Sequence, residues 1–134
     1  MKRPNILLIT TDQQRYDTLN CSGYDYMITP NLDELANEGC LFTHAFSINP
    51  VCIPARHNLL TGLGCKHHTF DDNYFDDSHQ IPYELPTFAQ CLSDNGYDTI
   101  AIGKMHFQPY RRHNGFHRLY LMDEIPRYRE EDDY

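Results

Sequence analysis

The sequence predicts an α/β fold, because two apolar runs of strand length flank a segment of helical periodicity. Residues 5–11, NILLITT, are continuously apolar, as a strand buried on both faces would be. Residues 97–103, YDTIAIG, form a second such run. Between them, apolar residues recur at helical spacing from Leu85 to Leu92, with Pro86 at the start. Polar residues follow both predicted strands directly, and in open α/β sheets functional sites lie at that end.

Terminal signals predict two further helices. Asn31 precedes an apolar-periodic segment with an acidic residue three positions on, so we expect a capped helix that ends at Gly39. Pro54 suits the first turn of a helix that extends through Leu60 and is closed by Gly62.

The rest of the chain has weaker signals. Residues 41–46 are a candidate second strand. From Gln108 onward no period is sustained, so residues 108–134 are predicted to be a weakly patterned segment that leads to a missing remainder. We therefore expect residues 1–134 to be the N-terminal part of a single larger domain.

Composition and charge exclude several classes of protein. The 134 residues carry a formal net charge of -8, which argues against a general nucleic-acid binder. The five cysteines are odd in number and contain no CxxC pair, which argues against a disulfide framework or a zinc ribbon. The apolar run Ile6–Ile9 is too short for a signal-peptide core or a membrane span. We expect a cytoplasmic protein, or a mature form whose signal has been removed, that does not enter the membrane.

Three polar clusters lie at the ends of predicted elements. Each cluster alone has an ordinary structural explanation: a turn residue, a small buried thiol, or solvated loop side chains. They are Asp12 with Gln13, Cys52 through Arg56, and Lys104 with His106.

Taken together, these clusters describe a site for a sulfate or phosphate ester. Cys52 is predicted to lie just before a helix N-terminus, where free amides and the macrodipole favour negative charge. Arg56 can return to the same point and bind oxyanions with its two-pronged guanidinium. Asp12 and Gln13 offer the oxygen ligands that calcium and magnesium prefer. A tyrosine-phosphatase loop is excluded, because it needs an arginine six positions after the cysteine and that position is Asn58.

The motifs resemble those of the type I, formylglycine-dependent sulfatases. CIPAR followed by LTG, from Cys52 to Gly62, resembles the signature C-x-P-[S/A]-R and L-T-G of this family. PNILLITTDQ resembles its first strand and metal-binding turn, TPNLDELANEG its next helix, and GKMHF its G-K-x-H motif. The resemblance implies an alkaline-phosphatase-like mixed sheet flanked by helices, present here as the N-terminal part of one catalytic domain.

The resemblance also implies a chemistry. In this family the signature cysteine is oxidised to formylglycine, an aldehyde that hydrates to a geminal diol. One diol hydroxyl attacks sulfur and displaces the alcohol; the other then loses its proton, the aldehyde re-forms and sulfate leaves. The implied partners are a maturation enzyme and a small sulfated substrate, a sugar or aryl sulfate, and a homo-oligomer is left open. Without the remaining ligands of the family, the 134 residues alone are expected to have no turnover.

Carried over by position, the resemblance assigns a role to each cluster. Cys52 becomes the nucleophile precursor and a metal ligand, and Arg56 holds the diol. Lys104 contacts the sulfate and His106 acts as a hydrogen-bond partner or base for the diol. Asp12 and Gln13 become ligands of a divalent cation, Ca²⁺ in the first place, with Mg²⁺ as the alternative.

Two features leave alternatives open. The family usually has a second aspartate where Gln13 stands, and relatives that hydrolyse phosphonate monoesters and phosphodiesters share this departure. Those relatives usually lack the lysine and histidine of G-K-x-H, so Lys104 and His106 favour sulfate. A third possibility is a non-catalytic relic in which Cys52 stays a thiol.

A run of histidines and aspartates, HHTFDDNYFDD at residues 67–77, follows the signature. Its spacing fits no tetrahedral metal site, so we expect a solvated loop near the rim of the cleft. Asn73 stands where some relatives place an asparagine that contacts the substrate.

Overall fold

The computed structural model describes residues 3–68, 71–73 and 80–122. The chain divides into two compact units, residues 1–45 and 46–134, and each is described by itself. Within the described ranges, no helix has both the length and the apolar character needed to cross a membrane. That both units belong to one larger domain stays a prediction.

Residues 3–45 of the first unit form one helix, α1, at Pro30–Glu38, and one 3-10 turn at Asn20–Ser22. Asp33 joins the two, because its Oδ1 accepts from the Cys21 backbone N at 2.8 Å and from the Thr29 hydroxyl at 3.0 Å. The predicted helix is confirmed, but its N-cap is Thr29 and not Asn31. Pro30 explains the earlier start, since its fixed φ and missing N–H suit the first helical position.

The two strands predicted in this unit are wrong: neither residues 5–11 nor residues 41–46 form a strand in the described chain. The side chains of Leu7 and Ile9 are 84% and 77% exposed. A strand needs a neighbouring strand for its backbone hydrogen bonds, and an apolar run signals a need for burial without supplying that neighbour.

The described residues of the second unit form three helices and two strands. The helices are α2 (Cys52–Thr61), α3 (Cys65–His68) and α4 (Phe88–Asp94), and the strands are β1 (Ile100–Gly103) and β2 (Arg118–Leu121). The strands pair in parallel, with Ile100 opposite Arg118 and Gly103 opposite Leu121.

The strand β2 corrects one prediction, because it lies inside the segment 108–134 that was expected to lack pattern. Its side chains alternate between exposed and half-buried, but four residues are too short a window for a period to be recognised. Residues 123–134 of that segment lie outside the described chain.

The other predicted elements of this unit are present with shifted ends. Helix α2 begins at Cys52, two residues before Pro54, and Gly62 ends it in the left-handed conformation at φ 69°. Helix α4 begins after Thr87, whose hydroxyl caps it by accepting from the Gln90 backbone N at 3.0 Å. Strand β1 begins at Ile100, three residues after the predicted start at Tyr97.

In the core of the second unit, α2 packs against a residue that precedes α4 and against one that follows β1. Ile53 and Leu60 of α2 are buried together with Ile81 and Phe107. Phe116 packs on this cluster, and its ring lies 6.0 Å, centroid to centroid, from those of Phe88 and Phe107. The N-terminal turn of α2 is therefore held by its own buried face and by the chain that follows β1.

Candidate active site

Cys52 is the first residue of α2 and is half-buried. The sequence predicted it just outside the helix, and the difference is small: it still lies at the positive end of the helix dipole, which favours an anion. The N-cap residue, Val51, makes no side-chain capping bond. Pro54 in this turn has no N–H, which costs nothing where no intrahelical partner exists.

Asn73 supplies the missing cap from a distant part of the chain. Its Oδ1 accepts from the backbone N of Ile53 at 2.9 Å, next to Cys52. Asn73 itself is exposed. Its predicted contact with substrate stays a prediction. The spacing of residues in the sequence did not indicate that Asn73 would bond the first turn of α2.

Arg56 links α2 to the polar segment after β1. It lies one helical turn after Cys52 and is half-buried. Its guanidinium donates from Nη1 to the carbonyl oxygen of Lys104 at 2.5 Å. His106, two residues further on, is buried and adopts a left-handed backbone conformation at φ 49°. Two of the three predicted clusters, separated by about fifty residues of sequence, are therefore joined by a hydrogen bond.

The third cluster, Asp12 and Gln13, lies in the first unit, where both residues are exposed. Gln13 has a left-handed backbone at φ 57°, as a tight turn after the apolar run requires. The predicted metal site combines these two residues with Cys52 of the second unit, and it stays a prediction. Among the described residues, no group of three or more His, Cys, Asp and Glu side chains is placed to hold a metal ion.

Two buried histidines were missed by the sequence interpretation: His57 in α2, and His68, which contacts α2 through Asn58. His57 is fully buried, and its Nδ1 lies 2.8 Å from the carbonyl oxygen of Ile53, to which it donates in the neutral form. Burial lowers the pKa of His57 to about 4, and the nearby His68 also disfavours the charged form. A signal was available, because His57 is spaced from Ile53 and Leu60 as one buried helix face requires.

His68 corrects the prediction that residues 67–77 form a solvated loop. Its side chain is fully buried at the end of α3, and burial lowers its pKa. The Asn58 amide nitrogen, in the orientation that satisfies both ends of the amide, donates to His68 Nε2 at 2.6 Å and to the Leu63 carbonyl at 3.0 Å. Residues 69–70 and 74–79 lie outside the described chain.

The five cysteines are all free thiols. Cys40 and Cys91 are exposed, and the other three are half-buried. Cys65 lies close to Asn58, at 3.8 Å between Sγ and the same side-chain amide atom that contacts His68, so it belongs to the packing against α2. Among the five, only Cys52 lies in the first turn of a helix with an arginine one turn further on.

Comparison with known proteins places these features in a family. The family model described as Sulfatase matches residues 4–133. The chain is 42% identical to an arylsulfatase of Clostridium perfringens over 90% of its own length and 24% of that protein. It is 36% identical to an N-acetylglucosamine-6-O-sulfatase of Bacteroides thetaiotaomicron over 78% of its length and 18% of that protein.

A solved structure is similar as well. The phosphonate monoester hydrolase of Agrobacterium radiobacter superposes with a TM-score of 0.77 at 31% identity, over 91% of this chain and 26% of that one. This likeness confirms the predicted alkaline-phosphatase-like α/β class. The chain spans about a quarter or less of the length of these relatives. A family match over nearly the whole chain, together with the motifs, leads to one conclusion: the chain belongs to the sulfatase family.

Proposed function

We propose that the protein hydrolyses sulfate esters at the N-terminus of α2, with residue 52 as the source of the nucleophile. The observation that carries this proposal is the bond from Arg56 to the Lys104 carbonyl oxygen. It brings the signature helix and the G-K-x-H segment to one place, as a shared anion site requires. The sulfatase relatives support the reaction class.

Charge explains how a chain of net charge -8 would bind a sulfate ester. The ester needs a local positive field, and the proposal draws that field from three sources. The first turn of α2 contributes the positive end of the helix dipole. Arg56 contributes a fixed guanidinium charge, and Lys104 contributes an ammonium group for the sulfate oxygens.

The remaining residues orient the nucleophile or accept its proton. When residue 52 carries formylglycine, its hydrate supplies the hydroxyl that attacks sulfur. Arg56 holds that side chain in place, because one turn of helix separates the two residues. His106 is assigned the hydrogen bond to the hydroxyl that loses its proton. Asn73 fixes the first turn through Ile53 and so keeps residue 52 oriented.

A divalent cation would add Lewis-acid stabilisation of the developing charge. Asp12 and Gln13 have the oxygen chemistry that Ca²⁺ and Mg²⁺ take, but Ca²⁺ takes roughly six to eight oxygens. Two donors are only part of such a shell, so further ligands must come from outside the described residues. The neutral amide of Gln13 in place of a carboxylate is expected to weaken the binding of either ion.

The first experiment asks whether residue 52 is modified in protein purified from its native host. Trypsin is expected to release residues 16–56 as one peptide, which also contains Cys21 and Cys40. Fragment-ion masses should show that residue 52 alone has lost its sulfur and two hydrogens and gained one oxygen. An unmodified thiol at residue 52 in active protein would contradict the proposal, and in inactive protein it would support a non-catalytic relic.

The second experiment measures the reaction of the intact protein, including the remainder that these 134 residues are expected to lack, with an aryl sulfate. Cys52→Ala is expected to lower kcat/KM by a factor of about a thousand or more, because the nucleophile is lost. Cys91→Ala removes an exposed thiol of α4 and is the matched control, expected to keep wild-type activity. Equal activity of the Cys52→Ala and Cys91→Ala proteins would exclude residue 52 as the nucleophile.

A second candidate is a phosphonate monoester or phosphodiester hydrolase on the same scaffold. Gln13 in place of the usual aspartate favours it, and the Agrobacterium radiobacter structure shows that the scaffold is compatible. The ratio of kcat/KM on an aryl sulfate to that on an aryl phosphonate decides between the two. We expect a ratio above one, because Lys104 and His106 accompany the sulfatase signature, and a ratio below one would favour the second candidate.

A further inference from the structure

Ile53, the residue directly after Cys52, is held by side chains at both ends of its backbone. Its N–H donates to Asn73 Oδ1 at 2.9 Å, and its carbonyl oxygen accepts from His57 Nδ1 at 2.8 Å. The Ile53 side chain is fully buried as well. Asn73 already takes part in the proposed function, whereas His57 has been given no role in it. His57 is nevertheless an anchor of the residue next to the proposed nucleophile.

The His57 ring is fixed in position and in protonation. It is fully buried, and its centroid lies 6.0 Å from that of the His68 ring. Burial lowers the pKa of His57 to about 4, so the ring is neutral at pH 7. A neutral imidazole carries its proton on one nitrogen, and the Ile53 carbonyl oxygen can only accept. The proton is therefore on Nδ1, and the ring donates to Ile53 in a single tautomer.

An apolar side chain would fill the place of the His57 ring with a smaller desolvation cost. Burying an imidazole removes its hydration, and one hydrogen bond offsets only part of that loss. The other buried residues on this face of α2, Ile53 and Leu60, are apolar. The polar ring is therefore explained by the bond that it makes and not by the space that it fills.

We propose that His57 is a positioning residue, whose Nδ1–H holds the Ile53 carbonyl oxygen and thereby fixes the backbone that carries residue 52. This role rests on the function proposed for residue 52. Asn73 holds the peptide group that joins residues 52 and 53, and His57 holds the next one, so the backbone of Ile53 is restrained on both sides. A displacement of about 1 Å at the reacting group can cost on the order of a hundredfold in rate.

The test measures kcat and KM of the intact protein on an aryl sulfate. His57→Leu fills the space without a donor. Since His57 in this role does not touch the substrate, kcat should fall at least about tenfold while KM stays within about twofold. His57→Asn is the conservative variant, because its amide nitrogen is bonded to Cγ as Nδ1 is in histidine. Its kcat should stay within about threefold of the wild-type value.

His68→Leu is the matched control. His68 is equally buried, but its hydrogen bond with α2 is to Asn58, five residues beyond Ile53. His68→Leu should lower stability and leave kcat near the wild-type value. An unchanged kcat in His57→Leu, equal losses in His57→Leu and His57→Asn, or an equal loss in His68→Leu would overturn the proposal. Thermal midpoints check folding, and His57→Met replaces His57→Leu if the latter does not fold, because methionine adapts to irregular gaps.

Hydrogen exchange at the Ile53 amide, resolved by fragment-ion mass spectrometry, gives a readout that does not need activity. Exchange should be at least about tenfold faster in His57→Leu than in the wild type or His57→Asn, and should change less at the Leu60 amide of the same helix. If the wild-type protein cleaves no aryl sulfate, the proposed function fails, and the Ile53 exchange rates still decide whether His57 holds this turn. Equal acceleration at Ile53 and Leu60 would indicate a general loss of stability and would exclude the positioning role.

Discussion

The two compact units differ in how they hold their site residues. In the first unit, no residue from 3 to 45 is buried, and Asp12 and Gln13 are both exposed. In the second, Cys52 and Arg56 alternate with the buried residues of α2, and His106 adjoins the buried Phe107. Both units contain motifs of the sulfatase family, but only the second packs its motifs on a core of its own.

This contrast indicates that the presence of a motif and the rigidity of the backbone that carries it depend on different interactions. Side-chain hydrogen bonds such as those of Asp33 organise the first unit locally. The second unit adds the apolar burial of Ile53, Leu60 and Phe107, which removes alternatives for the backbone next to the site. Four matched pairs of substitutions, each with one member in either unit, test this contrast.

The largest effect is expected from Gly115→Ala. Gly115 has φ 91°, and an added Cβ would lie 2.2 Å from the backbone N of Gln90. Strain and overlap together should cost about 4 kcal/mol of unfolding free energy in urea denaturation. Gly23 of the first unit has nearly the same backbone, φ 94°, but nothing within 4 Å of an added Cβ. Gly23→Ala should therefore cost only about 1 kcal/mol, and equal losses would refute close packing at Gly115.

Next in size is Ile53→Ala, which leaves a cavity beneath the first turn of α2. Ile53 is fully buried, so we expect a loss of about 3 to 4 kcal/mol, measured in the same way. Ile9 of the first unit is 77% exposed, and Ile9→Ala should change stability by less than about 0.5 kcal/mol. A large loss for Ile9→Ala would show that this side chain is covered in the folded protein.

His57 makes the stability of the second unit depend on pH. Its pKa is about 4 in the folded protein, below the ordinary value of 6.5, so the unfolded chain binds the proton more readily. Stability should therefore fall by roughly 3 kcal/mol as the pH falls from 6.5 to 4, and change little above 6.5 on account of this group. His68 acts with the same sign.

Urea unfolding at several pH values checks this prediction. His57→Gln should remove most of the dependence over this interval, at some cost in stability at pH 7. His44→Gln, which removes an exposed histidine of the first unit, is the control and should keep the wild-type slope. A wild-type slope in His57→Gln would show that other groups titrate instead.

The smallest effect compares two threonines that precede helices. Thr87 caps α4 and also donates to the Asn114 carbonyl oxygen at 2.6 Å, so Thr87→Ala should cost about 1 to 2 kcal/mol. Thr29 precedes α1 without a capping bond and donates to Asp33 instead. Thr29→Ala should cost less than about 1 kcal/mol. The thermal midpoint of each variant measures the difference, and a larger shift for Thr29→Ala would reverse the assignment.

Much of the candidate site could be predicted from sequence, because its signals are local. Proline at the start of a helix, glycine at its end and the spacing of Cys52 and Arg56 depend on a few neighbouring residues. The contact of Asn73 with the first turn of α2 joins residues twenty positions apart, and no local pattern indicates it. No local pattern indicates the burial of His68 either. Its run of polar neighbours predicted exposure to solvent, but the side chain packs against α2 and is fully buried.

The amino-acid sequence alone indicated the α/β class and the approximate places of α1, α2, α4 and β1, and its motifs, through their resemblance to a family, nominated the residues proposed for catalysis. These depend on propensity, on periodicity and on motif spacing, which are properties of short windows. The folded chain was needed to show that Arg56 reaches Lys104, that β2 pairs with β1 and that Thr87 bonds the Asn114 carbonyl oxygen. Each of these is a contact between distant residues, and such contacts depend on how the whole unit packs rather than on any single stretch of chain.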